Sequence, residues 1–276
     1  MSHNRQRKIA LFNDITGFGK CSVTVQLPII SAMGLQCCPV PTAILSNHTA
    51  YDEYFFEDYT GNMRSYLDMW KKLDLKFEGV VSGFLGSESQ IEIVKTFTSD
   101  FLKENAVVVV DPIMGDDGVP YKTYTKRMCQ RMKELVALAD VITPNVTEAC
   151  ILTDTPYKTA WTMSQLYEMA EKLSGLGPRF VVITGIETKE MLGNYVYVRD
   201  VCHTMVRSKK VGVIRCGTGD VFSSLIAADA VNGVDFLQSV KKATAFVSEC
   251  LKETQRLQME PEDGVAFEDI LYKLGK

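Results

Sequence analysis

Gly217-Thr218-Gly219-Asp220 stands directly before an apolar run, Val221–Ala230. Two glycines in such a place let backbone N–H groups turn inward at a helix N-terminus, which makes an anion site. Asp220 could cap that helix, but capping leaves both glycines unexplained. A carboxylate beside an anion hole can instead accept a hydroxyl proton while the N–H groups stabilise a transferring phosphoryl.

Three other polar segments follow strand-like runs. Asp111-Pro112-Ile113-Met114-Gly115-Asp116-Asp117-Gly118 comes after Val107–Val110. Its carboxylates are either ordinary loop residues or a cation site, since Mg²⁺ takes few carboxylates together with phosphate oxygens and water. In Thr143-Pro144-Asn145-Val146-Thr147-Glu148 the proline fits a helix start, with Glu148 one turn into that helix. Glu148 then either serves the helix dipole or points at a metal or a phosphate-bound water. Asn13-Asp14-Ile15-Thr16-Gly17-Phe18-Gly19-Lys20-Cys21-Ser22 nearly matches two phosphate-loop templates. Walker A fails at Asp14 and Cys21, and GxGxxG fails at Ser22. With no carboxylate ending the second strand to bind a ribose, the segment reads as a turn into a helix or a polar substrate rim.

The histidines narrow the chemistry further. His3, His48 and His203 are the full set, so a zinc site or Ser-His-Asp triad would have to use His48 or His203. His203 suits a surface or core role in a strand or turn. His48, in Ser46-Asn47-His48-Thr49 at another strand exit, is the better substrate-facing candidate. No Gly-x-Ser-x-Gly elbow is present. Cys216 adjoins the anion hole and could be reactive only if its thiol pKa were lowered; otherwise it is a small buried residue.

These segments need a scaffold, and the pattern supplies one. Strands are expected at Lys8–Phe12, Pro39–Leu45, Gly79–Ser82, Val107–Val110, Val141–Thr143, Phe180–Thr184 and Tyr195–Arg199. Several are near-continuous Val/Ile runs, the mark of strands covered on both faces. Helices are expected at Cys21–Ala32, Asn62–Leu73, Ser89–Glu104, Lys126–Ala137, Met163–Ser174, Val221–Asn232 and Phe236–Thr254. Thr162 and Gln165 predict a capping box. Met63, Met69 and Trp70 recur at helical spacing and are expected in the core. Lys209-Lys210 and Lys241-Lys242 read as solvated charge. The alternation predicts a three-layer α/β/α arrangement with a mostly parallel sheet, and one domain over 1–276. In such folds ligands collect at the carboxyl ends of the strands.

The chain has 276 residues, 46% hydrophobic and 23% charged, with a formal net charge of −4. This composition excludes a disordered tail, a collagen and a coiled coil. Without a global basic field, nucleic acid is not expected as a principal partner. Eight cysteines lack CxxC spacing, and the polar N-terminus lacks a signal-like apolar stretch. Both point to a reducing cytoplasm. The most apolar region, Val25–Leu45, is broken by Pro28, Gly34, Pro39 and Pro41, so no membrane span is expected.

Taken in order, the motifs resemble the ribokinase superfamily and, within it, the pyridoxal kinase branch, over Ile9 to about Leu251. Gly217-Thr218-Gly219-Asp220 is similar to the superfamily's base and anion-hole signature. Asp111-Pro112-Ile113-Met114-Gly115-Asp116, Thr143-Pro144-Asn145 with Glu148, and Ser46-Asn47-His48-Thr49 with Tyr51 resemble segments of the pyridoxal kinase branch. The resemblance implies transfer of the γ-phosphoryl of Mg-ATP to a hydroxymethyl group on a small heteroaromatic ring. Asp220 would take the hydroxyl proton, and the amides of Gly217, Thr218 and Gly219 would hold the phosphoryl. Asp111 and Glu148 would serve Mg²⁺, and K⁺ or Na⁺ could assist. Asp116, Asn145, Thr184, Gly185 and Thr218 would bind ATP. Asp14, Ser46, His48, Thr49 and Phe84 would meet the ring. The resemblance also implies a homodimer with a reduced flap, because Tyr51–Arg64 is short for a larger lid.

Two departures bear on specificity. Asp14 stands where many such kinases have serine, and Phe84 stands where many have tyrosine, keeping the stacking face without the hydroxyl. A carboxylate facing the ring would favour an amino-bearing or protonated substrate. The rival readings are a hydroxymethylpyrimidine kinase, a sugar or nucleoside kinase, and a non-catalytic ligand sensor on the same fold. A sensor has no need of a base, which counts against it.

Overall fold

The computed structural model describes residues 5–213 and 215–275; His3 lies outside them. Among the described residues a nine-stranded sheet runs in the order β11-β10-β9-β8-β5-β4-β1-β2-β3. Its parallel centre is β9 (Phe180–Glu187), β8 (Val141–Ile142), β5 (Leu102–Val110), β4 (Phe77–Ser82), β1 (Lys8–Phe18) and β2 (Gln36–Asn47). Antiparallel strands close both ends: β10 (Met191–Val198) and β11 (Cys202–Lys209) at one, and the three-residue β3 (Phe56–Asp58) at the other.

Side chains alternate across this sheet and divide the core in two. Ile9, Leu11, Val81, Val109 and Val182 face α1 (Val23–Ala32), α7 (Thr218–Asn232) and α8 (Phe236–Arg256). Ala10, Phe12, Val80, Val108 and Val110 face the opposite layer. That layer is α2 (Thr60–Lys72), α3 (Glu88–Phe101), α4 (Lys126–Val136), α5 (Val146–Thr153) and α6 (Met163–Gly175). Strands covered on both sides have no polar face to alternate, so they appear as Val/Ile runs. The three-layer, mostly parallel, ribokinase-like arrangement expected from the sequence is therefore present. On the larger side Phe97 meets Phe12, Phe77 and Phe101 at ring separations of 5.0, 5.3 and 4.7 Å. Truncating so enclosed a ring costs about 3–5 kcal/mol.

The structure departs from the expected elements at several points, each with a cause. β1 does not stop at Phe12 but continues to Phe18, paired to β2 across a register shift between Asn13 and Ile15. The polar run there is thus strand rather than turn, because its backbone finds partners on β2. α3 ends at Phe101 rather than Glu104, and Leu102 turns directly into β5. Pro144 precedes α5 instead of opening it, since Asn145 is the N-cap. β9 runs beyond Thr184 to Glu187, with Gly185 at φ 73° inside it. β11 escaped notice because an edge strand, exposed along much of its length, carries little hydrophobic pattern. Met69 is 48% exposed, not core, whereas Met63 is buried. The Thr162–Gln165 capping box is present. A small hairpin, β6 (Gly115–Asp116) and β7 (Val119–Pro120), rises after β5. Asp117 and Gly118 turn it with φ of 49° and 79°, as a tight two-residue hairpin requires.

Candidate active site

α7 is preceded by Gly217 as its N-cap, whose φ of 85° and close approach exclude a side chain: a Cβ there would sit 2.2 Å from the Lys20 carbonyl oxygen. Gly219 is exposed with open space around it. The first amides of a helix have no carbonyl beneath them, so this end presents N–H groups to a clear volume. Asp220 does not cap its own helix. Its Oδ2 accepts from the Ser22 backbone N–H at 2.8 Å and its Oδ1 from Asn13 Nδ2 at 3.3 Å. Burial pushes its carboxyl up, the Ser22 hydrogen bond opposes that, and the Asp111 and Asp14 charges add to it, leaving a pKa of about 7. A carboxylate near that value can both take and return a proton at neutral pH.

Asn13 is the joint of this arrangement, and sequence reasoning did not single it out. Its Nδ2 also donates to Gln26 Oε1 at 2.8 Å, and its Oδ1 accepts from the Asp14 and Phe84 backbone N–H groups at 3.0 and 2.8 Å. An amide inside a buried strand, and Gln26 in the otherwise apolar opening of α1, were the available signals. Asp14 lies at the β1 irregularity, 6% exposed. It accepts from the Thr16 hydroxyl at 2.6 Å and the Ser22 hydroxyl at 2.7 Å. Burial raises its pKa, while the Thr16 and Ser22 hydroxyl bonds, and least of all His48, oppose the rise. Cys216 has its thiol pushed up to about 11, by burial first and then by the Asp220 charge. That is the inert reading of this cysteine.

The second carboxylate group sits beyond β5. Asp111 is buried, its backbone N–H donating to the Ser82 carbonyl at 2.9 Å. Glu148, at the third position of α5, closes a capping box by accepting from the Asn145 N–H at 2.8 Å. Its other oxygen accepts from Met114 N–H at 3.1 Å. Glu148 is therefore a clamp joining the Asp111–Gly118 loop to α5, as well as a dipole partner. Burial raises both acids, and the Asp111 charge raises Glu148 further. Asp116 lies exposed at the hairpin, also raised by burial, while Asp117 is the turn residue. Asn145 Nδ2 donates to the Gly115 carbonyl at 2.9 Å, and a parallel bridge sets Asn145 beside Thr184. Thr184 and Gly185 are thus brought to Asn145, with Gly185 free of neighbours around a Cβ. Tyr121, also not singled out from sequence, feels Glu148, Asp116, Asp111 and Asp220 together; burial chiefly raises its phenol.

The ring-side residues are less uniform. Phe84 is fixed at both backbone ends, its N–H donating to Asn13 and its carbonyl accepting from the Thr42 hydroxyl at 2.9 Å. It meets Tyr124 edge-on with ring centroids 6.4 Å apart. His48 packs against Gly19 and has its pKa lowered by burial. Thr49 is exposed in the loop between β2 and β3. Ser46 spends its hydroxyl within that connection, accepting from Phe55 N–H at 2.8 Å and donating to Asn47 Oδ1 at 2.6 Å. Thr218 donates its hydroxyl to the Arg215 carbonyl at 3.1 Å. His203 is an exposed strand residue against the Tyr195 hydroxyl at 3.0 Å, remote in role from these groups.

A buried carboxyl with a pKa of about 7 beneath an open helix N-terminus, with a second acidic group across the strand ends, fits a phosphotransferase acting on a small alcohol. A family model, phosphomethylpyrimidine kinase, matches residues 24–264, and the chain belongs to that family. A proposed phosphomethylpyrimidine kinase of Bacteroides thetaiotaomicron superposes with a TM-score of 0.96 at 37% identity, covering 99% of this chain and 96% of that one. A second crystal form of it, with pyridoxal, gives 0.94 at 36% identity, covering 98% and 96%. The pyridoxine/pyridoxal/pyridoxamine kinase of Bordetella pertussis is 26% identical over 86% of each chain. The thiamine biosynthetic bifunctional enzyme TH1 of Arabidopsis thaliana is 28% identical over 83% of this chain, which spans 43% of that enzyme's length. No helix among the described residues is long and apolar enough to cross a membrane.

Proposed function

We propose that this protein transfers the γ-phosphoryl of ATP to the 5-hydroxymethyl group of a vitamin B6 alcohol (pyridoxal, pyridoxamine or pyridoxine), in salvage of pyridoxal 5'-phosphate. The observation that carries this is Asp220, held by Asn13 and Ser22 beside the open Gly219 with a pKa of about 7. Asp220 takes the hydroxyl proton as the hydroxyl oxygen bonds to phosphorus and the bond to the ADP oxygen breaks. The amides of Gly217, Thr218 and Gly219 stabilise charge on the transferring group. Phe84, His48 and Thr49 line the ring side, with Ser46 holding the connection that carries the last two. Asp116, Asn145, Thr184, Gly185 and Thr218 serve the nucleotide.

The acidic pair fits a divalent cation on its own chemistry. Burial raises the proton affinity of both Asp111 and Glu148, and the Asp111 charge raises Glu148 further, which a cation relieves. Among the described residues no three His, Cys, Asp or Glu side chains form a metal cage. Two carboxylates are what Mg²⁺ uses when phosphate oxygens and water complete its shell. The bound ion would neutralise phosphate charge; Asp111 and Glu148 would hold it, and K⁺ or Na⁺ could share that task.

A second reading, phosphorylation of a hydroxymethylpyrimidine, is favoured by the family match itself. ADP release with Mg-ATP across pyridoxal, pyridoxamine, pyridoxine and hydroxymethylpyrimidine separates the two. Asp220-dependent turnover of a B6 alcohol supports the first, and turnover of the pyrimidine alone replaces it with the second. Asp14 bears on choice among alcohols: its buried carboxylate favours an amino-bearing substrate such as pyridoxamine over pyridoxal. Equal preference in wild type and Asp14→Ser would sink that idea. A homodimer in the cytoplasm belongs to the same proposal. Free thiols at all eight cysteines suit the compartment. Exposed Phe18, Tyr54, Phe55 and Phe56 near the β3 edge suit a self-contact, which sedimentation equilibrium tests.

A further inference from the structure

Four residues around the base close a ring of hydrogen bonds. The Asp14 backbone N–H donates to Asn13 Oδ1 at 3.0 Å, and Asn13 Nδ2 donates to Asp220 Oδ1 at 3.3 Å. Asp220 Oδ2 accepts from Ser22 N–H at 2.8 Å, and the Ser22 hydroxyl donates to Asp14 Oδ1 at 2.7 Å, which completes the circuit. Ser22 is the pivot. It sits at φ 55°, a region a non-glycine residue enters at a cost and keeps only when its surroundings hold it there. Its N–H and hydroxyl are gripped by the two carboxylates, while its carbonyl accepts from Val25 and Gln26 N–H at 3.1 and 2.9 Å to start α1.

We propose that Asp14 is a positioning residue for the base, acting through Ser22: it fixes the serine whose N–H orients Asp220. The proposal rests on the reading of Asp220 as the base. Asp14 itself sits too deep and too fully bonded to be the proton acceptor. The other groups facing Asp220 are Asp111 at the β5 exit, Cys21 before α1, Cys216 before α7 and Tyr121 after β7. Those facing Asp14 are His48, Cys21 and Asp220. Cys21, Cys216 and Tyr121 are all pushed up and stay neutral near pH 7. His48 is pushed down and is neutral there too. Asp111 acts on Asp220 equally in every variant below. Loosening the Ser22 N–H bond therefore has one expected sign: Asp220 becomes harder to ionise.

The test compares pH profiles of kcat at saturating substrate for wild type, Asp14→Asn and Ser22→Ala, alongside carbon NMR titration of the aspartate carboxyl groups. The Asp220 resonance is assigned by its loss in Asp220→Asn. Ionisation of the substrate is common to all variants and cancels in the comparison. The wild-type acid limb is expected near pH 7, and in Asp14→Asn it moves up by about one pH unit as the Ser22 N–H bond loosens. Ser22→Ala cuts the same link from the other side, so its acid limb moves up as well, and kcat falls about tenfold in both variants. An Asp14→Asn acid limb that stays or moves down, or an Asp220 titration that coincides with wild type, overturns the proposal. Should Asp220→Asn keep full turnover, the base assignment fails instead, and the NMR titration still decides whether Asp14 acts on Asp220.

Discussion

The β1–α7 corner and the β5–α5 corner each bury acidic side chains at the strand ends, yet they hold them differently. At the first, both oxygens of Asp14 and of Asp220 accept hydrogen bonds from neutral donors: Thr16, Ser22 and Asn13. At the second, Glu148 is clamped by two backbone amides, and the Asp111 charge pushes its proton affinity higher still. Neutral donors fix direction and leave a carboxylate able to exchange a proton. Two buried acids, one raised by the charge of the other, hold negative charge that a cation would neutralise. The first corner suits the proton transfer we propose, and the second suits the metal ion.

That contrast can be broken most severely at the base. Asp220→Asn keeps the shape of the hydrogen-bonding group but removes the proton acceptor, so kcat should fall by about 10² to 10⁴ with KM little changed. Steady-state kinetics over the alcohol series reads this. A variant with wild-type kcat would show that Asp220 is not the base.

The metal corner should respond less steeply and in another parameter. Glu148→Gln removes one charge and loosens the loop clamp, and is expected to raise the Mg²⁺ concentration for half-maximal rate by about 10–100-fold. A magnesium titration of the initial rate measures it; an unchanged half-point would remove Glu148 from the ion.

The same corner sets a pH dependence of stability. Asp111 and Glu148 bind protons more tightly folded than unfolded. The folded state therefore holds more protons across the window from the ordinary carboxylate range to neutrality. Their contribution to stability falls as pH rises through that window. Without metal, Tm should be lower near pH 8 than near pH 5.5 by several degrees, roughly 2–4 °C per kcal/mol. Magnesium should recover more of it at the higher pH. Calorimetry with and without Mg²⁺ checks both signs, and a metal effect equal at the two pH values would contradict the pairing.

Asn13→Ala sharpens the comparison from the structural side. It leaves the Asp14 and Phe84 N–H groups and the Gln26 amide without their partner, at a cost of about 2–3 kcal/mol in urea unfolding. The smallest effect is expected for Phe84→Tyr. The stacking face is retained, so KM for the alcohol should change by about threefold or less. A far larger change would mean that the ring's neighbour at this position is chosen for its lack of a hydroxyl.

Much of the molecule could be read from residue order because its causes are local. Val107–Val110 and Phe180–Ile183 are buried on both faces, and a strand without a wet face must be apolar throughout. Gly217 was legible because a left-handed residue pressed against another backbone admits no side chain. Asp220 could be suspected from its place after two glycines. Asp111 and Glu148 were visible as acids at strand exits, though the push of the Asp111 charge on Glu148 was not.

What the chain order could not express is distance closed by folding. Asp220 is held by Ser22 and Asn13, 198 and 207 residues away in sequence, and nothing in either neighbourhood marks the pairing. Asn13 looked like the end of a strand because polar residues usually leave the sheet, whereas here β2 keeps the backbone paired to Phe18. That the Ser46 hydroxyl binds Asn47 and Phe55 within its own connection is likewise invisible in the residue order. Hydrophobic periodicity and glycine conformation are properties of a few adjacent residues, and sequence alone determined them. The proton affinity of Asp220 arises from burial and from charges on other elements; it exists only once α7, β1 and β5 meet, and the tertiary structure decided it.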